Sequence, residues 1–227
     1  MTQALLLAAA LLPPAFWRVV TRLGEAQILL PAALLALAWL FRHRDGRSAA
    51  WHWLGALAVA AMLTTASKLA FIGWGIGSSA LDFTGISGHA MFAAAIFPPL
   101  LRTLAATARA FSPPRALACG AVVALIVAVS RVVTGEHSLS EAVAGAATGG
   151  AASAFVLAGA DFPRRPAPRW LALALAAWLL ATPAGAPPSR THGLVTRLAL
   201  ALSGHHTPYM RADLHRAATF PTMPMPP

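Results

Sequence analysis

Six apolar blocks, each close to the thickness of a bilayer core, constrain this chain more than any motif in it. They run from Leu23 to Phe41, Ala49 to Ser67, Gly88 to Ala108, Ala116 to Thr134, Leu139 to Ala160 and Trp170 to Ala186. A helix needs roughly 20 such residues to cross the hydrocarbon. Composition agrees, with 58% hydrophobic and 11% charged residues and a mean hydropathy of +0.66, whereas about a quarter of an ordinary soluble domain is charged. The expected fold is all-α, a polytopic transmembrane helical bundle of about six spans.

The segment Met1 to Trp17 is apolar but short, is broken by Pro13-Pro14, and lacks both a basic n-region and a clear small-residue cleavage site. It fits neither a signal peptide nor a full span. It is expected to form an interfacial or half-inserted helix, with a seventh span as the alternative. The chain therefore divides into an N-terminal apolar helix (1–22), a transmembrane domain (23–186) and a C-terminal amphipathic, Pro-rich tail (187–227). Within the tail, Ser189 to Leu202 is amphipathic and is expected to lie on the surface or be partly disordered. Its His205-His206 pair has no partner at metal-ligand spacing.

Arginines set the orientation. Arg42, Arg44 and Arg47 follow the first span; Arg102, Arg109 and Arg115 surround the connection after the third; Arg164, Arg165 and Arg169 follow the fifth. By the positive-inside rule these alternate loops are cytoplasmic. The loops Lys68 to Ser87 and Gly135 to Ser138 then share the other face. These arginines carry much of the net charge of +10, which points to anionic lipid headgroups rather than nucleic acid. Cys119 is the sole cysteine, so the chain can form neither an internal disulfide nor a redox pair. Gly145 and Gly149 sit four apart in the small-residue stretch Ala142 to Ser153, a face that lets helices approach closely. Gly73 to Ser79 is glycine-rich without the Gly-Lys-Ser/Thr ending of a nucleotide loop, and reads as a flexible connection.

Polar residues inside or at the ends of such blocks are where function is sought. Three strings qualify: Lys68, the only lysine; Ser87-Gly88-His89; and Ser130-Arg131, followed after five residues by His137 and after three more by Glu141. Four residues apart at a helix start, His137 and Glu141 share one face. The carboxylate can accept the ring N–H of His137, fix its tautomer and leave the other nitrogen as a nucleophile. His89, at the start of another span on the same side, can protonate a leaving alkoxide. Lys68 and Arg131 supply positive charge for phosphoryl oxygens, and two helix N-termini add their dipoles. Taken singly, each string has a structural reading: an N-cap for Ser87, a snorkelling interface anchor for Arg131, an interfacial anchor for Lys68. Glu136 and Asp82 read as solvated loop acids, and His43 and His52 belong to the opposite side.

Together the strings resemble the type 2 phosphatidic-acid phosphatase superfamily. Its pattern is a lysine followed after six residues by Arg-Pro, then Pro-Ser-Gly-His, then Ser-Arg-(five)-His-(three)-Asp. The resemblance covers Lys68 to about Gly150. It implies that His137 is the nucleophile of a phosphohistidine intermediate, that Glu141 orients it and that His89 is the general acid. It further implies phosphate binding by Lys68, Ser87, Gly88, Ser130 and Arg131, with no metal and no cofactor. The partner is then a phosphorylated lipid at a bacterial inner membrane, with the site facing the periplasm or exterior: a polyprenyl pyrophosphate, a phosphatidate-type lipid or a lipid A phosphate. Vanadium haloperoxidases share the pocket but are soluble. Three positions depart from the pattern: Gly75-Ile76 stands for Arg-Pro, Ile86 for the proline before Ser87, and Glu141 for the closing aspartate. One phosphate-binding cation is thereby missing, which allows a different substrate geometry, weaker turnover or a replacement from elsewhere. The alternative reading is a weak or inactive protein of the same fold with a transport or binding role.

Overall fold

A computed structural model of the chain describes residues 12–105, 112–163, 166–185 and 191–219. Its elements are α1 (Pro14–Arg22), α2 (Ala26–Arg42), a short 3-10 turn (Arg44–Gly46), α3 (Arg47–Trp74), α4 (Gly88–Leu104), α5 (Pro113–Val133), α6 (Leu139–Gly159), α7 (Arg169–Gly185), α8 (Thr191–Ser203) and α9 (Arg211–Thr219). There is no strand among the described residues beyond the isolated bridge Ser78–Phe83. The fold is an all-α bundle.

Among the described residues three segments are long and apolar enough to cross a membrane: Arg44–Trp74, α5 and α6. The pair α1 and α2, bent by 44° at its break, makes a fourth if it counts as one broken span. The apolar helices α4 and α7 have 17 residues each, at the short end of what a bilayer requires. Leu34, Val59, Met62, Val122, Leu125, Val143, Phe155 and Leu173 stand exposed around the bundle, as side chains that meet lipid rather than water do. Residues 1–11 of the N-terminal segment lie outside the described residues. The remainder of that segment is α1, which leads directly into α2.

The centre of the bundle is α4. Gly145 and Gly149 lie against its backbone: a Cβ on Gly145 would come within 2.5 Å of the Ser87 carbonyl, and one on Gly149 would collide with the Met91 carbonyl. Gly120 of α5 meets Pro98, one of two prolines inside α4, where a Cβ would stand 2.7 Å from the Pro98 Cα. Small residues on α5 and α6 thus let three backbones touch. Polar side-chain groups tie this core across helices. Trp53 donates to the Ala95 carbonyl at 3.0 Å, Ser153 to the Ala94 carbonyl, and Trp178 to the Ile28 carbonyl at 2.9 Å.

Two loop expectations are corrected. Lys68 does not end its helix, because α3 continues to Trp74 and closes on Gly75 in the left-handed conformation (φ 68°). Gly73 to Ser79 is not a loose connection either. Gly73 packs on Ala199 and Ser203 of α8, Gly77 packs on the Phe83 carbonyl, and Ser78 and Phe83 exchange backbone bonds of 2.9 and 2.8 Å.

Candidate active site

The C-terminal ends of α3 and α5 and the N-terminal ends of α4 and α6 meet at one end of the bundle. The backbone fixes this: Ser87 N donates to Glu141 O at 3.1 Å, and the N–H groups of Glu136 and His137 both donate to Arg131 O at 3.1 Å. Gly135, with φ 70°, makes the sharp turn between α5 and α6 that brings His137 back over Arg131. At the other end of the bundle Gly46 meets Pro163 and Arg102 stacks on Phe162 at 4.7 Å.

Glu141 is the hub. Its side chain is fully buried, and its two oxygens collect donors from four residues in three segments. His137 Nδ1 lies 2.7 Å from Oε2, and Ser138 N donates to the same oxygen at 3.1 Å. Thr84 donates to Oε1 through both its backbone N–H, at 2.7 Å, and its hydroxyl. Arg211 Nη2 lies 2.8 Å from each oxygen. A carboxylate among so many donors is an acceptor only, so His137 carries its proton on Nδ1 and presents Nε2 as a lone pair. Among the described residues Nε2 has no hydrogen-bond partner. Burial pushes the imidazole below its ordinary pKa and Lys68 and Arg131 add to this, while the bond to Glu141 pulls the other way without overcoming it. Glu141 also closes a capping box with Ser138 at the start of α6. The carboxylate is therefore anchored by its own helix before any partner arrives.

The other residues of the three strings converge here. Lys68 Nζ is the nearest atom to a Cβ built on Gly88, at 3.8 Å, and the Lys68 stem packs on Gly85. His89, in the first turn of α4, lies within electrostatic reach of Arg131, Lys68 and His137. Arg131 is 6% exposed, donates to Thr21 Oγ1, and sits 3.6 Å from Glu136 Oε2. Ser87 occupies the N-cap position of α4 but makes no capping bond. Its buried hydroxyl and the Nε of Arg131 have no hydrogen-bond partner among the described residues. Buried donors are seldom left so, and both point to a ligand rich in acceptors. Ser130 differs, because its hydroxyl donates to Val127 O at 2.6 Å and its proton is committed to its own helix.

Several contributors carry no local signal in the sequence. Gly24 leaves room for His89, since a Cβ there would stand 2.8 Å from that of His89. Thr21 holds Arg131 from 110 positions away, and Thr84 holds Glu141 from 57. Asp82, expected as a solvated acid, keeps 43% of its side chain exposed and also anchors the tail: Arg211 Nη1 lies 2.7 Å from its carboxylate and His215 Nε2 2.8 Å. Some burial of Asp82 opposes its ionisation, yet the bonds from Arg211 and His215 hold its carboxyl below the ordinary range. Glu136, 59% exposed, is solvated as expected.

The sequence pattern of the PAP2 superfamily matches residues 74–165, a stretch that includes Ser87 to His89 and Ser130 to Glu141 and begins just after Lys68. An uncharacterized 22.5 kDa protein in the cps region of Klebsiella pneumoniae is 34% identical over 211 residues, covering 89% of this chain and 99% of that protein. No solved structure matches the chain.

Proposed function

Because the chain belongs to the PAP2 superfamily, whose members are phosphatases acting on phosphate esters, we propose that it hydrolyses the phosphate mono- or diphosphate ester of a lipid through a phosphohistidine on His137. The observation that carries this reading is the 2.7 Å bond between His137 Nδ1 and the buried Glu141 carboxylate, which leaves Nε2 as the nucleophile. Nε2 attacks phosphorus and the bond to the lipid oxygen breaks, with His89 giving that oxygen a proton. Glu141 stabilises the positive charge the ring acquires. Water then attacks the phosphohistidine, His89 takes its proton, and phosphate leaves with the neutral ring restored.

Lys68, Arg131, Ser87 and the backbone at Gly88 would hold the phosphoryl oxygens, aided by the N-termini of α4 and α6. Ser130 would join only by giving up its bond to Val127. The positive charges are side chains, so the reaction is proposed to need no metal.

A lipid is favoured over a soluble ester by the groove beside α3 and α6. It encloses about 730 Å³ and is lined by Leu63, Val59, Gly55, Trp51, Ala152 and Phe155 among others. Its upper edge at Leu63 is five positions from Lys68. From there it runs twelve positions down α3, about 18 Å at 1.5 Å per residue, and would take an acyl or prenyl chain whose phosphate lies at Lys68. The site would face the periplasm or exterior of a bacterial inner membrane, opposite the arginine-rich loops.

Purified protein in detergent with EDTA is expected to release phosphate from a phosphatidate or a prenyl pyrophosphate, and to carry a trappable phosphohistidine at His137. Release that survives His137→Ala, or that EDTA abolishes and a divalent ion restores, would refute the mechanism.

A further inference from the structure

We propose that Arg211, carried by the C-terminal tail, is a positioning residue of this site: its guanidinium fixes the Glu141 carboxylate against the His137 ring and sets the basicity of that ring. The inference rests on the phosphatase reading for its catalytic consequence, though not for its electrostatic one.

The tail is built into the site. Leu214 of α9 packs with Phe71 and Ile72 of α3 and Ala199 of α8, and Tyr209 N donates to Ile72 O at 3.0 Å. These contacts aim Arg211 into the loop before α4. There Nη1 donates to Asp82 O at 2.7 Å and pairs with the Asp82 carboxylate at 2.7 Å, while Nη2 bridges both oxygens of Glu141 at 2.8 Å. Asp82 holds a left-handed backbone (φ 49°), a conformation that turns its carbonyl and carboxylate toward one guanidinium. His215 pairs with the same carboxylate.

A fully buried carboxylate without a cation is strongly disfavoured. Among the described residues neither Lys68 nor Arg131 bonds Glu141, so Arg211 is the cation that neutralises it. Its position matters as much as its charge. Arg211 stands on the Nδ1 side of His137, behind the nucleophile, whereas the phosphoryl group would approach Nε2. It therefore does not stand in for the arginine missing after Lys68 as a phosphate ligand. It completes the orienting carboxylate instead. Glutamate reaches one methylene further than aspartate, and the fork of Arg211 holds that longer arm in place.

The charged groups facing His137 are Lys68 from α3, His89 from α4, Arg131 from α5, Glu141 from α6 and Arg211 behind Glu141. Of these only Glu141 raises the basicity of the ring, and Arg211 weakens that pull. Removing Arg211 should make His137 more basic and less well aimed.

The test uses full-length protein in detergent micelles with dioctanoyl phosphatidate as substrate and NMR titration of isotope-labelled histidine. Arg211→Gln is expected to lower kcat roughly tenfold or more with little change in KM. It should also move the His137 titration and the acid limb of kcat/KM upward together, by about one pH unit. Arg211→Lys should return most of the titration and less of kcat, since charge is kept and the fork is lost. Leu214→Ala loosens the tail without touching the guanidinium and should shift both in the same direction as Arg211→Gln; it decides the matter if Arg211→Gln does not fold. A His137 titration and acid limb unmoved in folded Arg211→Gln would overturn the proposal, even with wild-type activity that depends on His137. Wild type that releases no phosphate would refute the phosphatase reading, and the NMR titration would still decide for or against Arg211.

Discussion

Ser87 N donates to the carbonyl of Glu141 at 3.1 Å, so α4 and α6 start from one shared bond and the first turn of α4, which carries His89, is locked in register with the turn that carries His137. The register holds because α6 presents glycine wherever α4 comes closest. Gly149→Ala would press a methyl group into the Met91 carbonyl and is expected to destabilise the protein by about 1–3 kcal/mol. At the neighbouring Gly150 a Cβ meets nothing within 4 Å. Gly150→Ala should stabilise by roughly 0.5–1 kcal/mol, the helix preference of alanine over glycine. Thermal unfolding of the two variants in detergent checks the pair. Equal melting temperatures would show that the α4–α6 contact is looser than described.

The pH dependence follows from the surroundings of His137. Burial, Lys68 and Arg131 hold its imidazole below the ordinary value against the opposing bond to Glu141, and in the proposed mechanism the attacking imidazole must be neutral. Activity should persist as pH falls through the ordinary histidine range of about 6.5, and fail only below it. The acid limb of kcat/KM reports this group in the free enzyme. A limb at pH 7 or above, measured on the purified enzyme, would contradict the assignment of His137.

Under the proposed function the apolar groove takes the lipid chain, apart from the chemistry at His137. Gly55 lines it, and a Cβ on Gly55 meets nothing within 4 Å, so a large side chain can enter without disturbing the backbone. Gly55→Phe is expected to raise KM several-fold for a long-chain phosphatidate while leaving a dibutanoyl analogue nearly unaffected. Equal effects on both substrates would remove the groove from the substrate's path.

Local spacing is what made much of the site legible. His137 and Glu141 are one helical turn apart, Ser130-Arg131 is the turn before, and Ser87-Gly88-His89 stands at the head of an apolar block; each can be read without knowing the fold. The apolar blocks likewise announce α2, α3, α4, α5, α6 and α7. What was illegible depends on contacts between distant segments. Arg211 lies 70 positions from Glu141 in a Pro-rich tail that carries no apolar block, and nothing in its neighbourhood distinguishes it from fifteen other arginines. Asp82 and Thr84 look like ordinary loop polars until the tail and α6 close on them. The extension of α3 past Lys68 is hidden by the glycines that follow, although Gly73 is helical and α8 packs against its bare face.

The sharpest separation of structure from chemistry is at Glu141 itself, which both caps α6 and orients His137. Glu141→Gln keeps the size and can still cap the helix. However, the amide offers one acceptor oxygen where the carboxylate serves His137, Thr84, Ser138 and Arg211. It also places an uncharged group beside an imidazole that becomes positive during turnover. Turnover should fall on the order of a hundredfold or more in a protein that still folds. Glu141→Asp restores the residue of the resembled family, keeps the charge, and shortens the arm toward Arg211. It should retain a larger share of activity than Glu141→Gln. The His137 titration supplies the control, since losing the carboxylate removes what holds the imidazole up and should move its pKa further down in Glu141→Gln. Wild-type turnover in folded Glu141→Gln would reduce Glu141 to a helix cap whose charge favours the dipole.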